Sequence, residues 1–177
     1  MSDKKLVSLL QPNITFVMIK QDAIRNGVMD DIIGMIGNDG FNILVSMDPI
    51  ICKLDEKQII QFYKEHFGRS YFDDLYASIA LGARPLILEY PKYDTHAWEK
   101  MRKLIGATNA RNAEENTIRG KFGGHKFDSE APMAANAIHA SDSLASVMRE
   151  IEIIFPDVHD IYTSHHGTVK LKNILVV

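Results

Sequence analysis

The sequence predicts an α+β fold of about four strands with helices packed on one face of the sheet. Short apolar runs rich in β-branched residues alternate with longer runs at helical spacing, in the order β, α, β, α, β, α, loop, β, α. The 177 residues, 46% hydrophobic and 24% charged, suit a single core. The order favours an α+β sandwich, although the pattern alone also permits a parallel, doubly wound sheet.

The first part of the chain predicts two strands separated by a helix. Ile14–Ile19 is a short apolar run, typical of a strand. Residues 28–38 place apolar side chains at helical spacing, and Gly40 closes the run. Residues 41–47 then predict the second strand.

Two helices and a third strand are predicted next. Asp55, with Gln58 three residues later, makes a capping-box start for a helix that runs to residue 67 and stops at Gly68. Residues 71–80 continue as a short helix. Residues 86–90 predict the third strand.

The last part of the chain predicts a helix, a long loop, a strand and a final helix. Thr95 is the expected cap of a helix that ends at Gly106. Residues 107–133 lack periodicity and are polar, which indicates a functional loop. Residues 135–139 predict the fourth strand. The final helix is expected to start after one of three capping residues, Ser141, Asp142 or Ser143.

Composition and charge narrow the class of function. The net charge of −3, without a block of Lys or Arg, argues against a general nucleic-acid or membrane-surface binder, whereas free nucleotides need only a local basic pocket. The single Cys52 cannot form an intramolecular disulfide and is interpreted as a strand or core residue. No signal peptide or bilayer-spanning run is evident. We therefore expect a soluble, cytoplasmic protein.

The segment NAIHASDS at residues 136–143 is the strongest candidate for chemistry. It places His139 among small and hydroxyl-bearing residues. Ala137 and Ala140 leave one face of the imidazole open, and Ser141 is close enough to hydrogen-bond. An imidazole with one deprotonated, unshielded nitrogen can accept a phosphoryl group, so His139 is a candidate phosphohistidine.

Phosphoryl transfer also needs cations that face the charge on the moving group. Lys20 stands at the end of the first strand, where a mobile loop is expected to begin. Arg102 and Arg119 bracket the long loop, and Thr108 and Asn136 can add neutral hydrogen bonds. These five residues are candidates for a phosphate-binding site.

Four segments in order, ITFVMIKQD, TNARNAEENTIRG, NAIHASDS and REIEIIF, resemble the nucleoside diphosphate kinase family. The resemblance implies a ferredoxin-like βαββαβ sandwich with a four-stranded antiparallel sheet. It implies one domain over residues 1–177, with a core at about 13–156 and a C-terminal extension at 157–177. It also implies reversible transfer of the γ-phosphate of a nucleoside triphosphate to a nucleoside diphosphate, by a ping-pong mechanism through a phosphohistidine on His139.

The same resemblance implies the partners. These are ATP and other nucleoside di- and triphosphates, with no nucleic acid and no membrane. Mg²⁺ is the expected cofactor, held mainly by the nucleotide phosphates because the sequence shows no dedicated carboxylate cage. A homo-oligomer, either a hexamer or a tetramer, is expected on family grounds.

The resemblance also assigns roles to single positions that match the family's motifs. Lys20 matches the lysine that contacts the phosphates, and Asn136 the asparagine that bonds the sugar hydroxyl. Glu150 and Ser141 match the carboxylate and the serine that orient the imidazole of His139. Matching nucleotide contacts are Arg102, Thr108 and Arg119 at the phosphates, Tyr71 and Leu75 at the base, and Tyr63 near the histidine. Stacking on Tyr71 fits an enzyme that tolerates any base.

The chain departs from the family pattern at several places. Gln21 replaces the proline of the K-P-D motif, so we expect a less pre-organised loop but not a loss of activity. The segment GARP at residues 82–85 is longer than the usual turn. Residues 123–135 carry about seven extra residues, interpreted as a surface loop in preference to a flap over the nucleotide. The tail after residue 155 is interpreted as a packing or oligomer-contact extension.

Two other functions stay open. A member of the family that works only as a nucleotide sensor or scaffold is expected to have lost the histidine or a phosphate-binding cation, and this chain retains them. A different phosphohistidine carrier passes the group from His139 to a protein partner, and its phosphohistidine resists nucleoside diphosphates.

Overall fold

A computed structural model describes residues 13–47, 54–92 and 94–156. In this part of the chain, one sheet contains the strands β1 (Ile14–Ile19), β2 (Asn42–Ser46), β3 (Arg84–Glu89) and β4 (Ile138–Ala140). The strand order is β2-β3-β1-β4, and all three pairings are antiparallel. The predicted ferredoxin-like α+β fold is confirmed, and the parallel, doubly wound alternative is wrong.

Helices connect the strands. Within the described residues, the α-helices are α1 (Gln21–Arg25), α2 (Met29–Asn38), α3 (Glu56–Phe62), α4 (Phe72–Ala80), α5 (Ala97–Ile105), α6 (Ile118–Phe122) and α7 (Leu144–Ile154). Short 3₁₀ turns span Lys64–His66, Ala110–Asn112 and Gly124–Lys126. None of the described helices is both long and apolar enough to cross a membrane.

The helices cover both faces of the sheet, and not one face as the alternation predicts. Strand β1 is buried at every position, and successive side chains of a strand point to opposite faces. Phe16 and Met18 pack with α3, α4 and α7, whereas Val17 and Ile19 pack with α2, α5 and α6. A continuous apolar strand needs cover on both faces, which is why the one-face prediction is wrong.

Helix α3 begins as predicted but ends earlier. The Asp55 carboxylate accepts the Gln58 N–H at 2.7 Å, and the Gln58 side chain accepts the Asp55 N–H at 3.1 Å, which completes the capping box. The helix ends at Phe62, before residue 67, because the backbone tightens after Tyr63 into the 3₁₀ turn Lys64–His66.

Helix α5 has a cap that local spacing does not reveal. Thr95 is not the cap, because its hydroxyl donates to the Glu99 carboxylate at 3.3 Å. The side-chain carbonyl of Asn13 accepts the Ala97 N–H at 2.7 Å instead. Since Asn13 is distant in sequence, the first turn of α5 is satisfied by a tertiary contact.

Three other local predictions are corrected. Residues 21–25 form helix α1, where the pattern predicts a mobile loop, and the loop 107–133 contains α6 and two 3₁₀ turns. Strand β4 begins at Ile138 because Ala137 has a φ of +68°, which cannot continue a strand. Cys52 and the extension 157–177 lie outside the described residues.

Candidate active site

A cleft of about 420 Å³ opens where the ends of β1 and β4 meet the helices. Most of the predicted site residues line it, although they come from distant parts of the chain. Those residues are Lys20, Tyr63, Tyr71, Leu75, Arg102, Thr108, Arg119, Asn136, His139 and Glu150. The remaining one, Ser141, is fully buried and contacts Glu150 from behind.

The imidazole of His139 is held by a buried carboxylate. Its Nε2 atom lies 2.9 Å from Oε2 of Glu150, and the same oxygen accepts the Ser141 hydroxyl at 2.7 Å. The guanidinium of Arg149 lies 3.5 Å from the other carboxylate oxygen. The Glu150 side chain is 3% exposed and that of His139 is 22% exposed, so the carboxylate is sequestered while the ring reaches the cleft.

This contact selects one tautomer of His139. An ionised carboxylate can only accept, so Nε2 carries the proton that it donates to Glu150. The other ring nitrogen, Nδ1, then keeps its lone pair. A nucleophile at Nδ1 would acquire positive charge on reaction, and the carboxylate at 2.9 Å would stabilise that charge.

Aromatic side chains surround the other sides of the ring. Phe62 packs edge-on against His139 with ring centroids 5.0 Å apart, and Phe16 and Tyr63 lie at 6.3 Å and 6.5 Å. Sequence reasoning did not identify Phe62 as part of the site, although it follows the apolar face of α3. These contacts fix the plane of the imidazole without adding a competing hydrogen bond.

Lys20 lies at the end of β1, directly before α1, and is 3% exposed. Its ammonium donates to the carbonyl of Ala134 at 2.9 Å. Burial and the nearby charge of Arg119 lower the pKa of Lys20 to about 7, although Asp22 partly opposes them. An anionic ligand in the cleft would restore the charged form.

Arg119 is aimed by backbone carbonyls. It projects from α6, and its guanidinium donates to the carbonyl of Ile138 at 2.9 Å and to that of Gly106 at 3.2 Å. Gly106 has a φ of +84°, and a Cβ there would collide with the Thr117 side chain that caps α6. Burial and nearby Arg102 lower the pKa of Arg119 to about 10.

The neutral candidates lie beside these cations. The Asn136 amide donates to the carbonyl of Thr108 at 2.8 Å, which joins the long loop to the segment before His139. Its amide oxygen is buried without a hydrogen-bond partner among the described residues. Asn136 therefore keeps an unsatisfied acceptor at the site, while Arg102 is half-buried and Thr108 is exposed.

Tyr71 and Leu75 form an apolar wall at the mouth of the cleft. Tyr71 is 39% exposed, and its hydroxyl is 3.1 Å from Nδ1 of His66, which holds the ring at the mouth. Met133, 55% exposed, also lines the cleft. Sequence reasoning missed His66 and Met133 because neither belongs to a motif.

Burial raises the pKa of the Tyr63 hydroxyl above its usual range.

The insert at residues 123–135 touches the cleft only at its end. Of these residues, Met133 and Ala134 line the cleft. The guanidinium of Arg111 donates to the carbonyls of Ser129 and Ala131. These hydrogen bonds hold that part of the insert outside the cleft. Its role as a surface loop and not a flap stays a prediction.

The donor set bears on how a divalent cation would bind. Within residues 13–47, 54–92 and 94–156, no three His, Cys, Asp or Glu side chains form a metal-binding group. Of the carboxylates that line the cleft, Glu150 is engaged by His139 and Ser141. Mg²⁺ commonly keeps several waters and binds through substrate phosphates, which suits a cleft of this kind.

An α+β domain with a carboxylate-held histidine and convergent cations in one open cleft is the arrangement expected of a phosphotransferase. The nucleoside diphosphate kinase family matches residues 13–159 of the chain. A nucleoside diphosphate kinase from Ignicoccus hospitalis is 38% identical over 143 residues, which cover 80% of this chain and 88% of that protein.

Solved structures agree. The nucleoside diphosphate kinase of Aquifex aeolicus has a TM-score of 0.68 at 28% identity and covers 88% of this chain and 98% of that one. A halophilic nucleoside diphosphate kinase from Halobacterium salinarum, in complex with CDP, has a TM-score of 0.68 at 26% identity, covering 92% and 95%. The chain therefore belongs to the nucleoside diphosphate kinase family. The predicted family, fold and enzyme class are confirmed.

Proposed function

We propose that the enzyme transfers the γ-phosphoryl group in two steps through His139. In the first step Nδ1 attacks the γ-phosphorus, an N–P bond forms, and the bond to the β,γ-bridging oxygen breaks. The nucleoside diphosphate leaves with that electron pair. In the second step the terminal phosphate oxygen of another diphosphate attacks phosphohistidine, and Nδ1 recovers its lone pair. One site serves both steps, which predicts ping-pong kinetics.

The proton on Nε2 stays with the His139–Glu150 pair throughout. Ser141 donates to the same carboxylate oxygen and holds its position. This arrangement supports the assignment of Glu150 and Ser141 as positioning groups. His139, Glu150, Ser141 and Lys20 form the proposed catalytic set.

Lys20, Arg102 and Arg119 are the proposed phosphate contacts, and Thr108 adds a neutral donor. Their position around His139 would stabilise the charge on the moving phosphoryl group. Because every nucleotide substrate shares these phosphates, this part of the affinity does not depend on the base.

Base and sugar would lie further out in the cleft. We assign the stacking face to Tyr71 and Leu75, and the sugar hydroxyl to the side chain of Asn136, which lines the same cleft. Tyr63 lies near His139, with the two ring centroids 6.5 Å apart. An aromatic face binds any base, which suits a kinase of broad nucleotide range.

Mg²⁺ is the proposed cofactor. When bound with the nucleotide it would neutralise phosphate charge and orient the transferred group. The observation that carries the whole proposal is the hydrogen bond of Nε2 to Glu150, which leaves Nδ1 free in a cleft that is also lined by Lys20, Arg102 and Arg119.

The experiment is incubation with Mg²⁺ and γ-labelled ATP, followed by a chase with unlabelled nucleoside diphosphate. Wild type, His139→Gln and His96→Gln are compared, since His96 is exposed and outside the cleft. We expect label on wild type and His96→Gln only, removed by the chase. Label that resists the chase would favour a carrier for a protein partner, and no label on a protein that binds nucleotide would favour a sensor or scaffold.

Assembly, location and domain organisation also stay predictions. We infer a homo-oligomer, hexamer or tetramer, on the grounds that the family resemblance gives. Sedimentation showing only monomer would contradict it. A cytoplasmic location and a single domain over residues 1–177, with an extension at 157–177, are proposed on the grounds given by the sequence.

A further inference from the structure

The backbone directly before His139 has an unusual conformation. Ala137 has a φ of +68° and is the one residue other than glycine with a positive φ in the described part of the chain. It is fully buried and stands between Asn136 and the start of β4. An alanine disfavours this left-handed region, so surrounding contacts must hold it there.

Ala137 is spanned by a local hydrogen bond, from the Ile138 N–H to the Asn136 carbonyl at 2.8 Å, and two further contacts from the start of α1 hold it. The carboxylate of Asp22 accepts the Ala137 N–H at 2.9 Å, and the Lys20 N–H donates to the Ala137 carbonyl at 2.8 Å. Asp22 does not line the cleft. Burial raises the pKa of Asp22, whereas the Ala137 N–H works against this by stabilising the carboxylate.

The segment held in this way carries several parts of the site. Asn136 lies immediately before Ala137, the Ile138 carbonyl accepts the guanidinium of Arg119, and His139 follows. A change in the Ala137 backbone would therefore move an amide, a cation and the nucleophile together. A small displacement of reacting groups is costly in rate.

We propose that Asp22 is a positioning residue of the phosphoryl-transfer site, whose carboxylate holds Ala137 in the left-handed conformation that aims His139. This inference rests on the proposed function of His139. Two rival roles for Asp22 are a counter-charge for Lys20 and a simple contribution to the stability of α1.

Three variants separate these roles. Asp22→Ala removes the acceptor and the charge, while Asp22→Asn keeps an oxygen that can accept the Ala137 N–H but has no charge. Ala137→Gly, made in the Asp22→Ala background, removes the conformational penalty because glycine adopts positive φ freely. Asp31→Ala is the matched control, since Asp31 is an exposed carboxylate in the first turn of α2.

The first readout is the single-turnover rate of His139 labelling by γ-labelled ATP, beside thermal unfolding. We expect Asp22→Ala to be slower by roughly 30-fold, which corresponds to about 2 kcal/mol. The labelling rates of Asp22→Asn and Asp31→Ala should stay within about threefold of the wild-type rate. Adding Ala137→Gly to Asp22→Ala should raise the labelling rate at least about fivefold.

The second readout is hydrogen exchange at the Ala137 amide. It should be protected in wild type, Asp22→Asn and Asp31→Ala and exchange faster in Asp22→Ala, whether or not the enzyme is active. If wild type takes no label, the proposed function fails, and amide exchange still decides whether Asp22 holds Ala137.

Several results would overturn the inference. The first is that Asp22→Ala labels at the wild-type rate, and the second is that Asp22→Asn labels as slowly as Asp22→Ala. The third is that adding Ala137→Gly to Asp22→Ala does not raise the labelling rate. If Asp22→Ala does not fold, Asp22→Asn carries the test, because a loss above about tenfold there would mean that charge and not the hydrogen bond matters.

Discussion

Glu150→Gln tests whether the buried carboxylate accelerates phosphorylation of His139. Glutamine has nearly the same shape and keeps an oxygen that can accept from both Nε2 of His139 and the Ser141 hydroxyl. It removes the negative charge and places an amide NH2 beside the guanidinium of Arg149, which lies 3.5 Å from the other carboxylate oxygen. With the amide oxygen on Nε2 the imidazole keeps its tautomer, and the change in rate then reports how much the charge stabilises the ring as Nδ1 attacks.

The structure sets the size of the effect. A hydrogen bond to a charged group contributes roughly 1.5–3 kcal/mol and one between neutral groups roughly 0.5–1.5 kcal/mol. Because Glu150 is 2% exposed, solvent screens this difference little. A loss of about 1–1.5 kcal/mol corresponds to a phosphorylation rate roughly five- to thirteenfold lower. Glu150→Ala should be slower still, since it leaves the Nε2 proton and the Ser141 hydroxyl without their acceptor.

The assay is single-turnover labelling of His139 with γ-labelled ATP at saturating Mg²⁺, with thermal unfolding measured in parallel. Glu152→Gln is the matched control, because Glu152 lies on the same helix and is exposed. It should label at the wild-type rate. If Glu150→Gln also labels at that rate while remaining folded, the carboxylate charge does not assist the reaction and the assigned role is wrong.

Three further predictions concern other parts of the cleft. The pKa of Lys20 is about 7 in the folded protein and 10.5 ordinarily, so between these pH values the unfolded chain binds more protons than the folded one. The free energy of unfolding should therefore rise with pH over this range in wild type, and rise less in Lys20→Met. Denaturant titration at several pH values measures this. Gln21 is the first residue of α1, and Gln21→Pro should improve nucleotide affinity or turnover in steady-state assays; unchanged values would contradict the expectation that glutamine leaves this segment less pre-organised than proline does. Tyr71→Ala should raise KM for purine and pyrimidine diphosphates alike by roughly tenfold or more. Tyr71→Phe loses only the hydrogen bond to His66 and should leave KM unchanged. A base-selective effect of Tyr71→Ala would argue against stacking.

The fold could be predicted as far as local patterns determine it. The strand at Ile14–Ile19 and the capping box at Asp55 follow from neighbouring residues, and the structure has both. The cap of α5 comes from Asn13, which lies far away in sequence, so no window of spacing contains it. Helix α6 has only five residues and no periodicity of its own. Its cap at Thr117 is a local signal that could have located it.

The site residues also divide into those that local motifs indicate and those that only tertiary contacts reveal. Motifs indicate His139 and its cations because phosphoryl transfer requires those residue types, and the structure brings them into one cleft. Motifs do not indicate that Asp22 bonds the Ala137 backbone, since the two positions are 115 residues apart. A positive φ at an alanine has no sequence signature. Residues that act through the backbone are therefore the part of a site that sequence reasoning misses.

The cations of the cleft would explain how the proposed site serves many nucleotides. Lys20 and Arg119 are each 3% exposed, and across the described ranges they contact backbone carbonyls without an ion pair to a carboxylate. Buried cations without an ion pair are unfavourable, and the lowered pKa values of both groups reflect their burial and the neighbouring positive charges. Nucleotide phosphates would supply the missing charge, so part of the binding energy comes from relief of an unfavourable state in the free enzyme. Since this relief depends only on groups that all substrates share, the base needs no more than the open, partly exposed face of Tyr71.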